Sequence, residues 1–149
     1  MNFNYANRIA ILIEGIIRGL VVTGSIARRD KIINDIDFVT KRNLNDILDE
    51  MLDSFLFLSP DDIKAHGSRV LRINFGGINI DIWRAGNNYE YQFLKFMRDI
   101  DKGHNIGLRK RFKMLGYKLS DYGLYNTKNK TWVTFDDFIR RISEFNEDI

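Results

Sequence analysis

The sequence predicts an α+β fold: a mixed β-sheet flanked by helices, followed by a small α/β C-terminal subdomain. Three observations carry that expectation. Apolar residues recur at helical spacing near the start, the middle and the end of the chain, and runs with two-residue alternation lie between them. The pair Gly76-Gly77 separates two such runs as a tight hairpin would. From Tyr89 the period returns to that of a helix, which marks a second unit. A chain of 149 residues buries roughly two-thirds of its unfolded surface and needs no covalent staple.

The elements follow in order. Tyr5 to Leu20 repeats Ile9, Leu12, Ile13, Ile16, Ile17 and Leu20 on one helical face. A short β-type run, Leu20 to Thr23, leads into a turn at Gly24-Ser25. Asp35 to Thr40 alternates Ile36 and Phe38 with Asp35 and Asp37, as a half-buried strand does. Asn43 to Phe55 places Leu44, Ile47, Leu48, Met51, Leu52 and Phe55 on one stripe, with Asn43 as the cap. Arg69 to Phe75 and Ile78 to Trp83 form the hairpin.

In the second unit, Phe93, Phe96, Met97 and Ile100 predict a helix, and a further one runs from about His104 to Leu115, closed at Gly116. Tyr117 to Tyr125 and Thr131 to Val133 read as a hairpin about Asn126-Thr127-Lys128-Asn129. A last helix starts at Thr134, with Asp137 as its capping-box partner. The expected division is residues 1–86 and 87–149.

Composition excludes several classes. The absence of cysteine rules out a disulfide scaffold, a Cys-ligated zinc site and thiol catalysis. One proline and eleven glycines leave no room for a long low-complexity linker. Apolar runs such as Ile9 to Ile13 are too short to span a bilayer, and no signal peptide is visible. A cytoplasmic protein with no membrane partner is the expectation. His66 and His104 lack metal-ligand spacing, and His104 reads as a capping or packing residue.

Chemistry is concentrated in the stretch Val21-Val22-Thr23-Gly24-Ser25-Ile26-Ala27-Arg28-Arg29 and in Asn34-Asp35-Ile36-Asp37-Phe38. Asp35 and Asp37 are two apart, so a strand projects both to one face. Adjacent carboxylates repel, and a hard divalent cation relieves the repulsion. Asp81 alternates with Ile80 and Ile82, so a neighbouring strand can add a third carboxylate to the same face. A Gly-Ser turn offers backbone N–H groups and a hydroxyl to phosphate oxygens, and Arg28 adds a bidentate fork. Phosphate cradle, arginine and metal carboxylates together point to nucleotidyl transfer.

These residues carry a resemblance. Gly24-Ser25-x-x-Arg28 with Asp35-x-Asp37 resembles the signature of the DNA polymerase beta-like nucleotidyltransferase superfamily. Gly103-His104-Asn105-Ile106-Gly107-Leu108-Arg109, then Gly116-Tyr117-Lys118-Leu119-Ser120-Asp121-Tyr122-Gly123-Leu124, resembles the C-terminal subdomain of family X DNA polymerases. The resemblance implies a nucleotidyltransferase palm over residues 1–86 and a DNA- and nucleotide-contacting subdomain over 87–149. It implies that Asp35, Asp37 and Asp81 hold two Mg²⁺ ions, with Mn²⁺ as a substitute, and that Asp81 helps deprotonate the primer 3′-hydroxyl. Gly24, Ser25 and Arg28 match the triphosphate-binding residues, Asn105 the contact to the incoming base, and Arg109 the contact to the template strand. On a helix, positions 105 and 109 share a face.

Charge supports a nucleic-acid partner. The net charge is only +3, but Lys102, Arg109, Lys110, Arg111, Lys113 and Lys118 fall in one stretch without an acidic residue. Such a block suits phosphate contacts. The expected function is DNA-directed DNA polymerisation, adding one or a few nucleotides from (d)NTPs at gapped or primer-template DNA. Short-gap filling in base-excision repair, between an AP endonuclease and a DNA ligase, is the implied task, performed by a monomer. A template-independent nucleotidyltransferase acting on RNA or protein is the alternative, and an inactive nucleic-acid-binding relic a third.

Two departures shape the expectation further. The family's Tyr-Phe-Thr-Gly-Ser segment, which discriminates against ribose, is replaced by Met97-Arg98-Asp99-Ile100-Asp101, so weak sugar discrimination is expected. The arginine often found two residues after the third carboxylate is also replaced, by Trp83. With only about twenty residues before Gly24, the chain resembles the reduced, viral form of the family, which lacks lyase and helix-hairpin-helix elements. For a viral enzyme the location extends to the host cytoplasm or the virion.

Overall fold

Asn2 opens the first helix by accepting the Tyr5 N–H at 2.9 Å, and α1 spans Phe3–Ile16. It stops four residues short of the sequence expectation. Gly19 takes φ 83°, a left-handed turn that no helix continues through. Ile17 and Leu20 are still buried, but from the turn rather than from the helix. The computed structural model describes residues 1–147 and separates the chain into two units, Met1–Gly86 and the segment from Asn87 onward.

In the first unit, β1 (Val21–Thr23) runs into α2 (Gly24–Ala27), followed by β2 (Asp35–Thr40) and α3 (Leu44–Ser54). The Gly24-Ser25 turn expected from the sequence is thus the start of a single helical turn. Asn43 caps α3 by accepting the Asn45 N–H at 2.8 Å. A 3-10 turn at Pro60–Asp62 precedes β3 (Ile63–His66), then β4 (Val70–Phe75) and β5 (Ile78–Arg84). No strand is expected from the sequence at β3, where Ile63-Lys64-Ala65-His66 offers one large apolar residue and so little periodic signal.

The five strands form one mixed sheet in the order β1-β2-β5-β4-β3. Only the β2–β5 pair is parallel. Gly76 and Gly77 have φ 58° and 91°, the two positive values that a type I′ hairpin requires. One face of the sheet carries Ile36, Phe38, Leu71, Ile73, Ile80 and Ile82 into a core shared with Ala6, Ala10 and Ile13 of α1 and Ile47 and Met51 of α3. By alternation, Asp35, Asp37, Arg72, Asn79, Asp81 and Trp83 lie on the opposite face.

The second unit consists of α4 (Asn88–Asp99), α5 (Lys102–Met114), β6 (Tyr117–Ser120), β7 (Gly123–Asn126), β8 (Thr131–Val133) and α6 (Phe135–Glu147). Tyr117 to Tyr125 is not one strand. The chain reverses at Asp121-Tyr122, and β6-β7-β8 make a three-stranded antiparallel sheet. Ser120 explains the reversal, because its hydroxyl accepts the Tyr122 N–H at 3.2 Å and draws the chain back. Thr134 caps α6 by accepting the Asp137 N–H at 3.2 Å. The core joins Phe93 and Met97 of α4, Phe112 of α5, Leu119, Leu124 and Phe138. Among the described residues no helix is long and apolar enough to cross a membrane.

Candidate active site

Strand alternation and sheet register together build the acidic cluster. Ile36 and Phe38 are fully buried, so Asp35 and Asp37 must project to the other face. The parallel pairing of β2 with β5 sets Asp37 opposite Asp81 and Asp35 opposite Asn79. The antiparallel pairing with β1 sets Thr23 opposite Asp37, which brings Gly24 against the same carboxylate. Gly24 has φ 69°, and a Cβ built there would stand 2.6 Å from Asp37 Oδ2. Position 24 therefore needs glycine for its backbone and for the space that Asp37 occupies.

The carboxylates have defined partners. Trp83 Nε1 donates to Asp37 Oδ1 at 3.5 Å. Arg72 Nε pairs with Asp81 Oδ1 at 3.2 Å, and the Arg72 guanidinium lies 6.0 Å from the Trp83 ring centroid. Asp35, Asp81, Arg72, Lys64, Asn79 and Ile73 line an open cavity of about 310 Å³. Of the expected phosphate-binding residues, Ser25 donates through its hydroxyl to Asp35 O at 3.4 Å. Arg28 donates through Nε and Nη2 to Asp30 Oδ2, at 3.3 and 3.1 Å. Both engage groups of the first unit, Ser25 at the acidic strand itself and Arg28 just before it.

Lys64, Arg72 and Asn79 were not singled out by the sequence. The signal for Arg72 was present. A two-residue hairpin closed at Gly76-Gly77 fixes Phe75 opposite Ile78, and counting back sets Arg72 opposite Asp81. No such count reaches Lys64, because the β3–β4 register shifts between Ile63 and Ala65.

The donor chemistry suits a hard divalent cation: three carboxylates from two hydrogen-bonded strands, on one face. As the side chains stand, however, no three His, Cys, Asp or Glu groups among the described residues form a cluster able to hold a metal ion. Donor type and backbone register fit, while Asp81 faces a guanidinium.

In the second unit, α5 carries the remaining expected site residues. Asp101 caps it, accepting the His104 N–H at 2.8 Å through Oδ1 and meeting His104 Nδ1 at 2.6 Å through Oδ2. These bonds hold the Asp101 carboxyl below its usual pKa. Asn105 and Arg109 share a face and touch: Arg109 Nε donates to Asn105 Oδ1 at 2.6 Å. Asn105 Nδ2 donates to Met97 O at 3.0 Å. Arg109 also donates to Leu119 O at 3.3 Å and pairs with Asp121 Oδ1 at 2.6 Å, while Arg98 binds Asp121 Oδ2 at 3.0 Å. Lys102, Lys110, Arg111, Lys113 and Lys118 are exposed, and the Arg111 guanidinium stacks 4.4 Å from the Phe145 ring.

Neither the known protein-family models nor the curated proteins give a match to this chain.

Proposed function

We propose that the chain is a Mg²⁺-dependent nucleotidyltransferase with a polymerase beta-like palm in its first unit, acting as a short-gap-filling DNA polymerase of family X. The observation that carries this reading is the register of three strands about Asp37. Asp81 lies opposite it on β5, and Gly24, directly after β1 at the start of the Gly-Ser-x-x-Arg turn, lies against it. A sheet designed for stability alone avoids like charges directly opposite each other. Here the repulsive pair stands beside the residues suited to a triphosphate.

Asp35, Asp37 and Asp81 would hold the metal ions, and Mg²⁺ bound there would supply Lewis-acid stabilisation of the phosphoryl oxygens. Ser25 and Arg28 bind and orient the triphosphate, the arginine exchanging Asp30 for phosphate oxygens. In the transfer, the primer 3′-oxygen bonds to the α-phosphorus and the α–β bridging bond breaks. Pyrophosphate leaves, and the hydroxyl proton passes to Asp81. The exposed lysines and Arg111 of α5 supply phosphate contacts to DNA.

A second reading, template-independent transfer, is favoured by one observation. Asn105 and Arg109, the residues assigned to the base and the template, are engaged with each other and with Met97 O, Leu119 O and Asp121. Extension of a labelled primer on a one-nucleotide-gapped duplex separates the readings, with each nucleotide supplied singly. Template-matched addition supports the polymerase, indiscriminate addition supports the transferase, and no addition leaves only the binding relic.

A further inference from the structure

Arg72 is placed against Asp81 by the geometry of the hairpin itself. The type I′ turn at Gly76-Gly77 fixes the β4–β5 register and with it the cross-strand pair Arg72↔Asp81. The two partners differ in their surroundings. The Asp81 side chain is only 15% exposed and sits beside a second carboxylate, whereas the Arg72 side chain is 52% exposed. A largely buried carboxylate next to another acid is costly without a cation. A half-exposed arginine gives up such a pair cheaply, because water solvates its released guanidinium. The guanidinium already lies over the Trp83 ring, 6.0 Å from its centroid, so this contact does not depend on the pair with Asp81.

We infer that Arg72 is the resident counter-ion of Asp81, and that a divalent cation entering the carboxylate cluster must displace it. This rests on the nucleotidyl-transfer reading of Asp35, Asp37 and Asp81, and it accounts for a site with suitable donors whose side chains are not drawn together. Arg72 is a positioning residue: it holds Asp81 in the metal-free protein and sets the concentration at which metal enters.

Binding of Mn²⁺ to the full chain, followed by the electron paramagnetic resonance signal of the free ion, tests this without any activity measurement. Arg72→Gln removes the competing charge and binds Mn²⁺ about two- to fivefold more tightly at low salt, the scale of one partly solvated ion pair. Arg72→Lys keeps a charge and stays near the wild type. In an Asp81→Asn background the gain from Arg72→Gln vanishes, since the coupling runs through that carboxylate. Unchanged or weaker binding by Arg72→Gln overturns the inference, and so does a gain that persists without Asp81. If these results come with wild-type binding that Asp37→Asn abolishes, the metal-site reading survives alone. Absence of Mn²⁺ binding in the wild type overturns both.

Discussion

Gly24 and Asp37 meet so closely that a Cβ on residue 24 would stand 2.6 Å from Asp37 Oδ2. Neighbouring strands create the contact: Thr23 is the register partner of Asp37, and the chain turns at the next residue with φ 69°. Gly24→Ala therefore meets two penalties. The left-handed backbone alone costs roughly 1–2 kcal/mol for a residue with a Cβ, and the carboxylate must also move. We expect a loss of at least about 1 kcal/mol in denaturant unfolding, with a larger proportional loss of nucleotide addition. An alanine variant of wild-type stability would show that this contact is not tight.

Asp121 joins Arg98 and Arg109 in the second unit, at 3.0 and 2.6 Å. Asp121→Asn leaves two partly buried guanidinium groups short of an anion. It should destabilise the protein by about 1–2 kcal/mol, a buried-pair loss reduced for solvent access. The freed cations should also tighten binding to gapped DNA and steepen its salt dependence, measured by fluorescence anisotropy. Weaker binding would mean that Asp121 organises the DNA-contacting surface instead of restraining it.

The basic face of α5 carries a separate expectation. If Lys110 and Lys113 contact phosphates, Lys110→Ala and Lys113→Ala each weaken DNA binding across sequences and lower the slope of log K against log salt by about 0.9 per lost contact. Unaltered slopes in both variants would remove this helix from the interface.

Tyr89 ties α4 to the small sheet. Its hydroxyl donates to Val133 O at 2.7 Å and accepts the Leu124 N–H at 3.3 Å, and burial raises its pKa. The Tyr89→Phe change removes both bonds and should cost about 1–3 kcal/mol. Differential scanning calorimetry checks this; a neutral substitution would mean that water replaces the hydroxyl.

The acidic cluster was legible in the sequence because a strand exposes its period directly: Ile36 and Phe38 inward force Asp35 and Asp37 outward. Asp81 was legible for the same reason. What joins them is non-local. That β2 and β5 pair in parallel, 44 residues apart at Asp37↔Asp81, follows from burying both strands against α1 and α3, which no local window reports. The sequence expectation runs straight through the reversal at Asp121-Tyr122, although Ser120, Asp121 and Gly123 are turn formers and the Ser120 hydroxyl accepts the Tyr122 N–H there. The internal network of Asn105 and Arg109 was half visible. Helical spacing put them on one face, but Asp121 and the Met97 and Leu119 carbonyls come from other elements.

The ribose question turns on Met97 to Asp101. Met97 is 2% exposed, its carbonyl accepts from Asn105, and Asp101 caps α5, so the segment is spent on helix ends. Single-turnover incorporation should separate dNTPs from NTPs only weakly. A preference for dNTPs of several orders of magnitude would place a sugar-reading group elsewhere.

If the three carboxylates on one sheet face perform nucleotidyl transfer, each addition must release pyrophosphate. With gapped DNA, the templated nucleotide and Mg²⁺, the wild-type chain should release one pyrophosphate per nucleotide added. Asp37→Asn should release none while still binding DNA. Equal release by that variant, or none by the wild type with either Mg²⁺ or Mn²⁺, would contradict the account.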